Sequence, residues 1–249
     1  QPNYKTSDET DNSYDEANNN YLYGFDSNNK TTLEPPQPKP TEEKITTVET
    51  DLFVAKLSSL CGGSIISFQL KDHLGPDSGF VNLSSHNNKK NLLIGFRNLD
   101  GETLELENGW VLENNYDSLY INEETTLSYF YPYGNKKITK QITIYPESFI
   151  FDIELDMTPV ANNLLEEQFS FSWVGGLPPT EKDSAAEEYF FGTYLYQGEE
   201  LLDVKASKGD FFKNDYRGKT EWIATRSKYF VAAIIAANET KFFGASVSA

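Results

Sequence analysis

The stretch Ser148-Phe149-Ile150-Phe151-Asp152-Ile153-Glu154-Leu155-Asp156-Met157 decides the fold class of this chain. Phe149, Phe151, Ile153, Leu155 and Met157 alternate with Ile150, Asp152, Glu154 and Asp156. A period of two puts every second side chain on one face of an extended strand, so the stretch predicts a strand with one dry face. The same alternation recurs on either side. Ile66, Phe68 and Leu70 alternate with Ser67, Gln69 and Lys71; Phe169, Phe171 and Trp173 alternate with Ser170 and Ser172; Ile142 and Ile144 flank Thr143, after Ile138 and Lys140. Tyr229 to Ile235 is nearly all apolar, the pattern of a strand buried on both faces.

Turn signals separate these runs: Asp100-Gly101, Asn108-Gly109, Gly134-Asn135, Gln197-Gly198, Lys208-Gly209 and Arg217-Gly218. Short strands at that spacing predict an all-β sandwich or barrel. Helical periodicity is confined to a turn or two at Ala161 to Gln168 and at Thr180 to Glu188. Aromatic residues make up 14% of the chain, many on the alternating faces. Each buries on the order of 150–250 Å², enough for a two-sheet core to hold without disulfides. That matters because Cys61 is the only cysteine and has no partner for an internal bridge.

Residues 1–44 have a different composition. They are rich in Asn, Asp, Glu, Ser and Thr and end in Glu34-Pro35-Pro36-Gln37-Pro38-Lys39-Pro40. Such a segment cannot bury enough surface to offset its ordering entropy, and its prolines favour extended geometry. It is expected to be a disordered, acidic, Pro-rich tether, with Tyr21 to Phe25 as its one candidate recognition peptide. The folded domain is expected over 45–249. The chain opens on Gln1, and Phe242 to Ala249 reads as a strand cut short, so a fragment truncated at its C-terminus is expected.

The formal net charge of −17 over 249 residues argues against nucleic acid and against polybasic docking on anionic lipid. The longest apolar run, Val231 to Ala237, falls far short of the roughly 20 residues a bilayer span needs. Nucleophilic chemistry finds little support. Cys61 precedes Gly62-Gly63 and reads as a small residue packed at a turn, and there is no Gly-x-Ser-x-Gly elbow. The doublets Glu42-Glu43, Glu123-Glu124, Glu166-Glu167, Glu187-Glu188 and Glu199-Glu200 point to opposite faces of a strand, so none supplies a cleft pair for glycoside chemistry. His73 and His86 lie in a loop-rich stretch and are the candidate general bases. Asn29, Asn82 and Asn238 begin Asn-x-Ser/Thr triplets. Trp173 with Gly175-Gly176-Leu177-Pro178-Pro179 is a candidate groove lining. No catalytic, cofactor or metal residue is expected, and the partner-binding residues are not legible.

Three segments resemble one family in the right order. Val48-Glu49-Thr50-Asp51, then Cys61-Gly62-Gly63 leading into Ser64 to Leu70, is similar to the opening of the periplasmic domain of YidC-type membrane-protein insertases, which more often has Arg where Cys61 stands. Lys137 to Tyr145, followed by Ser148 to Leu155, resembles that domain's central strand pair. Trp222, five residues, then Lys228-Tyr229-Phe230 resembles the strand near its end.

The resemblance implies a β-super-sandwich of galactose mutarotase-like architecture, facing the periplasm from the bacterial inner membrane. It implies an accessory, non-enzymatic domain of a protein that inserts and folds membrane proteins, with nascent membrane proteins and Sec translocon subunits as partners and no small-molecule substrate. The rival readings are a mutarotase-like carbohydrate-binding or sugar-epimerising domain, and a secreted adhesin-like surface domain.

Overall fold

The computed structural model describes residues 42–84, 90–204, 212–237 and 241–248. Outside them lie residues 1–41, which carry nearly all of the expected tether, the Tyr21 to Phe25 cluster and Asn29. His86, Asn238 and the Lys208-Gly209 turn also lie outside.

The first strands are β1 (Ile45–Glu49), β2 (Phe53–Ser58), β3 (Ser64–Leu74), β4 (Phe80–Asn82), β5 (Asn91–Asn98) and β6 (Thr103–Glu105). Next come β7 (Val111–Leu112), β8 (Ser118–Tyr120), β9 (Thr125–Tyr133), β10 (Lys136–Ile144), β11 (Phe151–Asp156) and β12 (Leu164–Trp173). A short helix α1 (Ser184–Glu188) precedes β13 (Gly192–Gln197), β14 (Glu200–Val204), β15 (Lys213–Arg226), β16 (Val231–Ile235) and β17 (Phe242–Ser248). The all-β sandwich expected from the alternation is what forms.

Four sheets result. The first has the order β4-β3-β2-β1-β8, the second β11-β10-β9-β7 and the third β12-β5-β6. The fourth runs β14-β13-β15-β16, with β17 also pairing β15. Nearly all pairing is antiparallel; β1 with β8 is parallel. Asn91, buried at the start of β5, ties the third sheet to the first. Its Oδ1 accepts from Ile65 N at 2.6 Å, and its Nδ2 donates to Ile65 O at 2.8 Å. The second sheet faces both. Phe53 of β2 meets Phe151 of β11 at 5.6 Å between ring centroids, and Phe96 of β5 meets Tyr133 of β9 at 6.1 Å. One continuous apolar core fills the space, with Val48, Leu57, Ile94, Trp110, Leu127 and Ile142 at its centre.

The alternation of the deciding stretch holds within β11. Phe151, Ile153 and Leu155 pack against the core while Asp152, Glu154 and Asp156 are exposed. Phe149 precedes the strand and is exposed.

Three local expectations are corrected. Val231 to Ile235 is not buried on both faces: β16 pairs β15 along one edge only, and Val231 and Ile235 remain about two-thirds exposed, at 65% and 66%. Ala161 to Gln168 is not helical beyond a 3-10 turn at Thr158–Asn163. From Leu164 the chain is strand, and Glu166 and Glu167 take left-handed φ of 57° and 53° where the register of β12 on β5 shifts. Arg217-Gly218 is not a hairpin turn either. It lies inside β15, where Gly218 at φ 127° makes the irregularity between Arg217 and Thr220 that re-aims the strand from β17 toward β16.

Candidate functional site

The most unusual chemistry in the molecule sits in the middle of β10. Lys136–Ile144 alternates, so Ile138, Lys140, Ile142 and Ile144 share the face turned to the core, and all four are fully buried. The Lys140 ammonium donates to Cys61 O at 2.5 Å and to Leu92 O at 2.6 Å. Both acceptors belong to non-glycine residues in left-handed backbone, Cys61 at φ 54° and Leu92 at φ 56°. Those are costly conformations, and the lysine fixes the two carbonyls they present. Trp110 and Phe171 rings lie 5.1 and 5.7 Å from Nζ.

Burial lowers the Lys140 pKa to about 7, with the nearby Cys61 sulfur acting the other way. A neutral amine has two N–H donors, which matches the two carbonyls. Lys140 thus braces the second sheet to the β2–β3 turn of the first and to β5 of the third.

Cys61 is the small packed residue its glycine neighbours suggested. It is fully buried, and burial pushes its thiol up to about 11, so thiolate chemistry at neutral pH is disfavoured. Gly62 is required beside it: a Cβ there would sit 2.7 Å from Trp110 Cδ2, and its φ is 66°. In the sequence Lys140 stands out only as a neighbour of Ile138, ahead of Ile142 and Ile144. The signal that finds it is the register itself, since a period of two places it on the same face as Ile138 and Ile142.

Several of the other candidates, among the described residues, are engaged in structural contacts. His73 lies one residue before the end of β3, is exposed, and makes an edge contact with the Phe230 ring at 5.8 Å. Among the described residues it has no carboxylate partner. Trp173 Nε1 donates to Gly176 O at 3.3 Å, and Leu177 is buried, so the loop after β12 folds back on the tryptophan.

Of the carboxylate doublets, Glu187 is buried and accepts from Thr180 N at 2.7 Å, Thr180 Oγ1 at 3.0 Å and Glu181 N at 2.7 Å, which closes the loop ahead of α1. Glu43 accepts from Ser58 Oγ at 2.8 Å. The Asn82 side chain accepts from Phe68 N at 2.7 Å and donates to Ser67 Oγ at 3.1 Å, so its amide holds β4 on β3 and is not offered for modification. Among the described residues no three of His, Cys, Asp and Glu stand close enough to share a metal ion. No helix among them is long and apolar enough to cross a membrane.

Comparison with known proteins fits this picture of a domain whose polar groups serve architecture. The family model of the YidC periplasmic domain matches residues 45–249. The membrane protein insertase YidC of Chlorobaculum parvum is 32% identical over 205 residues, covering 80% of this chain and 35% of that protein. That of Chlorobaculum tepidum is 30% identical, covering 78% and 33%, and that of Chloroherpeton thalassium is 30% identical, covering 80% and 35%. The chain thus spans about a third of the length of the curated relatives it matches. No solved structure is a significant match. Over residues 45–249 the chain belongs to the YidC periplasmic domain family.

Proposed function

We propose that this chain is the accessory, non-catalytic domain of a membrane-protein insertase, held in the periplasm at the bacterial inner membrane. It acts as an interaction and scaffolding module. Its partners are nascent membrane proteins and subunits of the Sec translocon. The match over residues 45–249 carries the reading. The commitment of Cys61, Lys140, Glu187 and Trp173 to internal contacts supports the non-catalytic part of it. Residues 1–44 serve as the tether to the rest of the protein.

The test uses the full-length protein with its membrane segments. Residues 45–249 are deleted in frame, and insertion of a simple single-span substrate is followed beside photo-crosslinking from surface positions of the intact domain. The expected result is that insertion of the simple substrate survives, while crosslinks to translocon subunits or nascent chains form in the intact protein. Loss of all insertion by a stably produced deletion variant would make the domain part of the insertion machinery itself. Interconversion of sugar anomers by the domain, abolished by His73→Ala, would restore the epimerase alternative.

A further inference from the structure

Three connections far apart in sequence carry large apolar residues that project to solvent, and the connections are in contact. The β3–β4 hairpin presents Leu74, 69% exposed, paired with Phe80, 47% exposed. The link from α1 to β13 presents Tyr189, 87% exposed, with Phe190 against it at 5.5 Å between ring centroids. The β15–β16 turn presents Tyr229, 56% exposed.

Named contacts latch the three together. Phe230 meets His73 at 5.8 Å and Tyr229 at 6.4 Å. Lys228 Nζ lies 4.6 Å from the Tyr229 ring and 5.8 Å from the Phe190 ring. Arg226 Nε donates to Phe190 O at 3.3 Å. The result is one aromatic surface built from separate turns, at positions where Gly, Asn, Asp or Ser would serve the turns at less cost.

Cations stand directly against its rings. The whole chain carries −17, yet the groups set against these rings are Lys228 and Arg226, whose guanidinium lies 5.4 Å from the Tyr194 ring. Glu181 lies 3.9 Å from Lys228, Asp72, Asp77 and Glu188 are exposed on the same connections, and the Glu187 carboxylate is turned inward onto Thr180. Tyrosine with an apolar body and a polar tip, beside lysine with an apolar stem, is the chemistry of the water–lipid boundary. Projecting turn tips suit a flat, yielding surface. A peptide would take a strand edge or a groove.

We propose that Leu74, Phe80, Tyr189, Phe190, Tyr229 and Lys228 form a docking surface for the phospholipid bilayer, with the rings entering the headgroup–acyl boundary and Lys228 meeting headgroup phosphate. This rests on the reading above that a bilayer is the domain's neighbour. The acidity that opposes polybasic docking does not oppose it, because insertion of rings is not a salt-dependent attraction.

The test is flotation of the full 249-residue chain with neutral phosphatidylcholine–phosphatidylethanolamine vesicles, at low and at physiological salt. The expected result is binding that changes little with salt and falls about tenfold or more in Tyr189→Ser/Phe190→Ser/Tyr229→Ser, as loss of inserted apolar area requires. Phe149→Ser/Ile150→Ser, at exposed apolar positions outside the cluster, should bind as the parent does. Tyr189→Trp should add fluorescence that brominated acyl chains quench.

Absence of flotation, or equal flotation of parent and triple variant with an unchanged melting temperature, would overturn the proposal. So would a Tyr189→Trp signal moved by a soluble apolar peptide and unmoved by vesicles, which would make this a peptide-docking surface. None of these outcomes bears on the deletion and crosslinking test of the insertase reading, so the two fail separately.

Discussion

Strand β10 buries a lysine, and strand β16 exposes a valine and an isoleucine. Both strands alternate and both pair in antiparallel sheets. The difference is position. β10 lies between β9 and β11, and two other sheets cover its inner face, so whatever stands at every second residue goes inside. β16 pairs only β15; its Ala232 and Ile234 are half-buried, and Val231, Ala233 and Ile235 on the other face are exposed. Side-chain polarity set neither outcome. Burial in this molecule follows the layer a strand belongs to, and side-chain chemistry then adapts, as it does where Lys140 finds two carbonyls and two aromatic faces.

The largest expected effect lies at the centre of the covered region. Trp110 is fully buried, its indole N–H donates to Leu106 O at 2.7 Å, and its ring stands against Tyr131 at 5.3 Å. Trp110→Ala should cost about 3–5 kcal/mol in chemical denaturation, the range for large aromatic truncations. A cost below about 1 kcal/mol would mean that the core is far looser than these contacts describe.

Lys140 gives the next effect, and it has a sign. Burial lowers its folded-state pKa to about 7, against 10.5 when the chain is unfolded. Above about pH 7 the unfolded chain therefore binds more protons than the folded one, so stability rises with pH. Below pH 7 both states are protonated and the full cost of a buried charge is present. The slope contributed by one such group is at most about 1.4 kcal/mol per pH unit. The useful window is pH 7 to 9, because Cys61, raised from 9.0 to about 11, begins to act in the opposite sense above that. Lys140→Met should flatten the rise across this window in parallel denaturation curves. Identical slopes for parent and variant would show that the amine stays charged in the core, held by the Trp110 and Phe171 rings.

How much of this was readable beforehand divides along the same line. Period-two alternation located β3, β10, β11 and β12, and glycine signals located the turns at Gly101, Gly134 and Gly198, because both are local properties of backbone geometry. The three segments around Val48, Ile142 and Trp222 pointed to the family that the match over 45–249 then showed. What local pattern could not supply was the layer each strand would join. Val231 to Ile235 has the composition of a doubly buried strand, and only the pairing shows it at an edge. The aromatic surface was hidden for a related reason: Leu74, Tyr189 and Tyr229 are brought together by the packing of three turns, which no sequence spacing encodes. Gly218 was misread because a strand irregularity and a turn use the same left-handed glycine.

A smaller effect tests the polar accounting of the core. Tyr129 is buried on β9, paired across from Lys140, and its hydroxyl is the one fully buried side-chain polar atom without a hydrogen-bond partner among the described residues. Burial also raises its pKa strongly. Tyr129→Phe keeps the ring and removes the unsatisfied group, so it should leave stability unchanged or raise it by about 1 kcal/mol. A loss of more than about 1 kcal/mol in the melting curve would reveal a partner for that hydroxyl.

The smallest expected effect is the one that most directly tests the contrast between β10 and β16. Val231→Thr and Ile235→Thr keep the β-branched shape that suits a strand and remove apolar surface at positions about two-thirds exposed. If those faces are open to water, each change should fall within about 0.5 kcal/mol of the parent, as surface substitutions do. A cost of 2 kcal/mol or so would place them in a covered core. Repeating the denaturation over a hundredfold range of protein concentration would then identify the cover. A cost that grows with concentration means a second copy lies on the sheet, because association stabilises by mass action. A cost independent of concentration means that other residues of the same chain lie there. In either case the fourth sheet would be a second core instead of an open layer, and the lesson drawn from β16 would apply only to the strands that nothing covers.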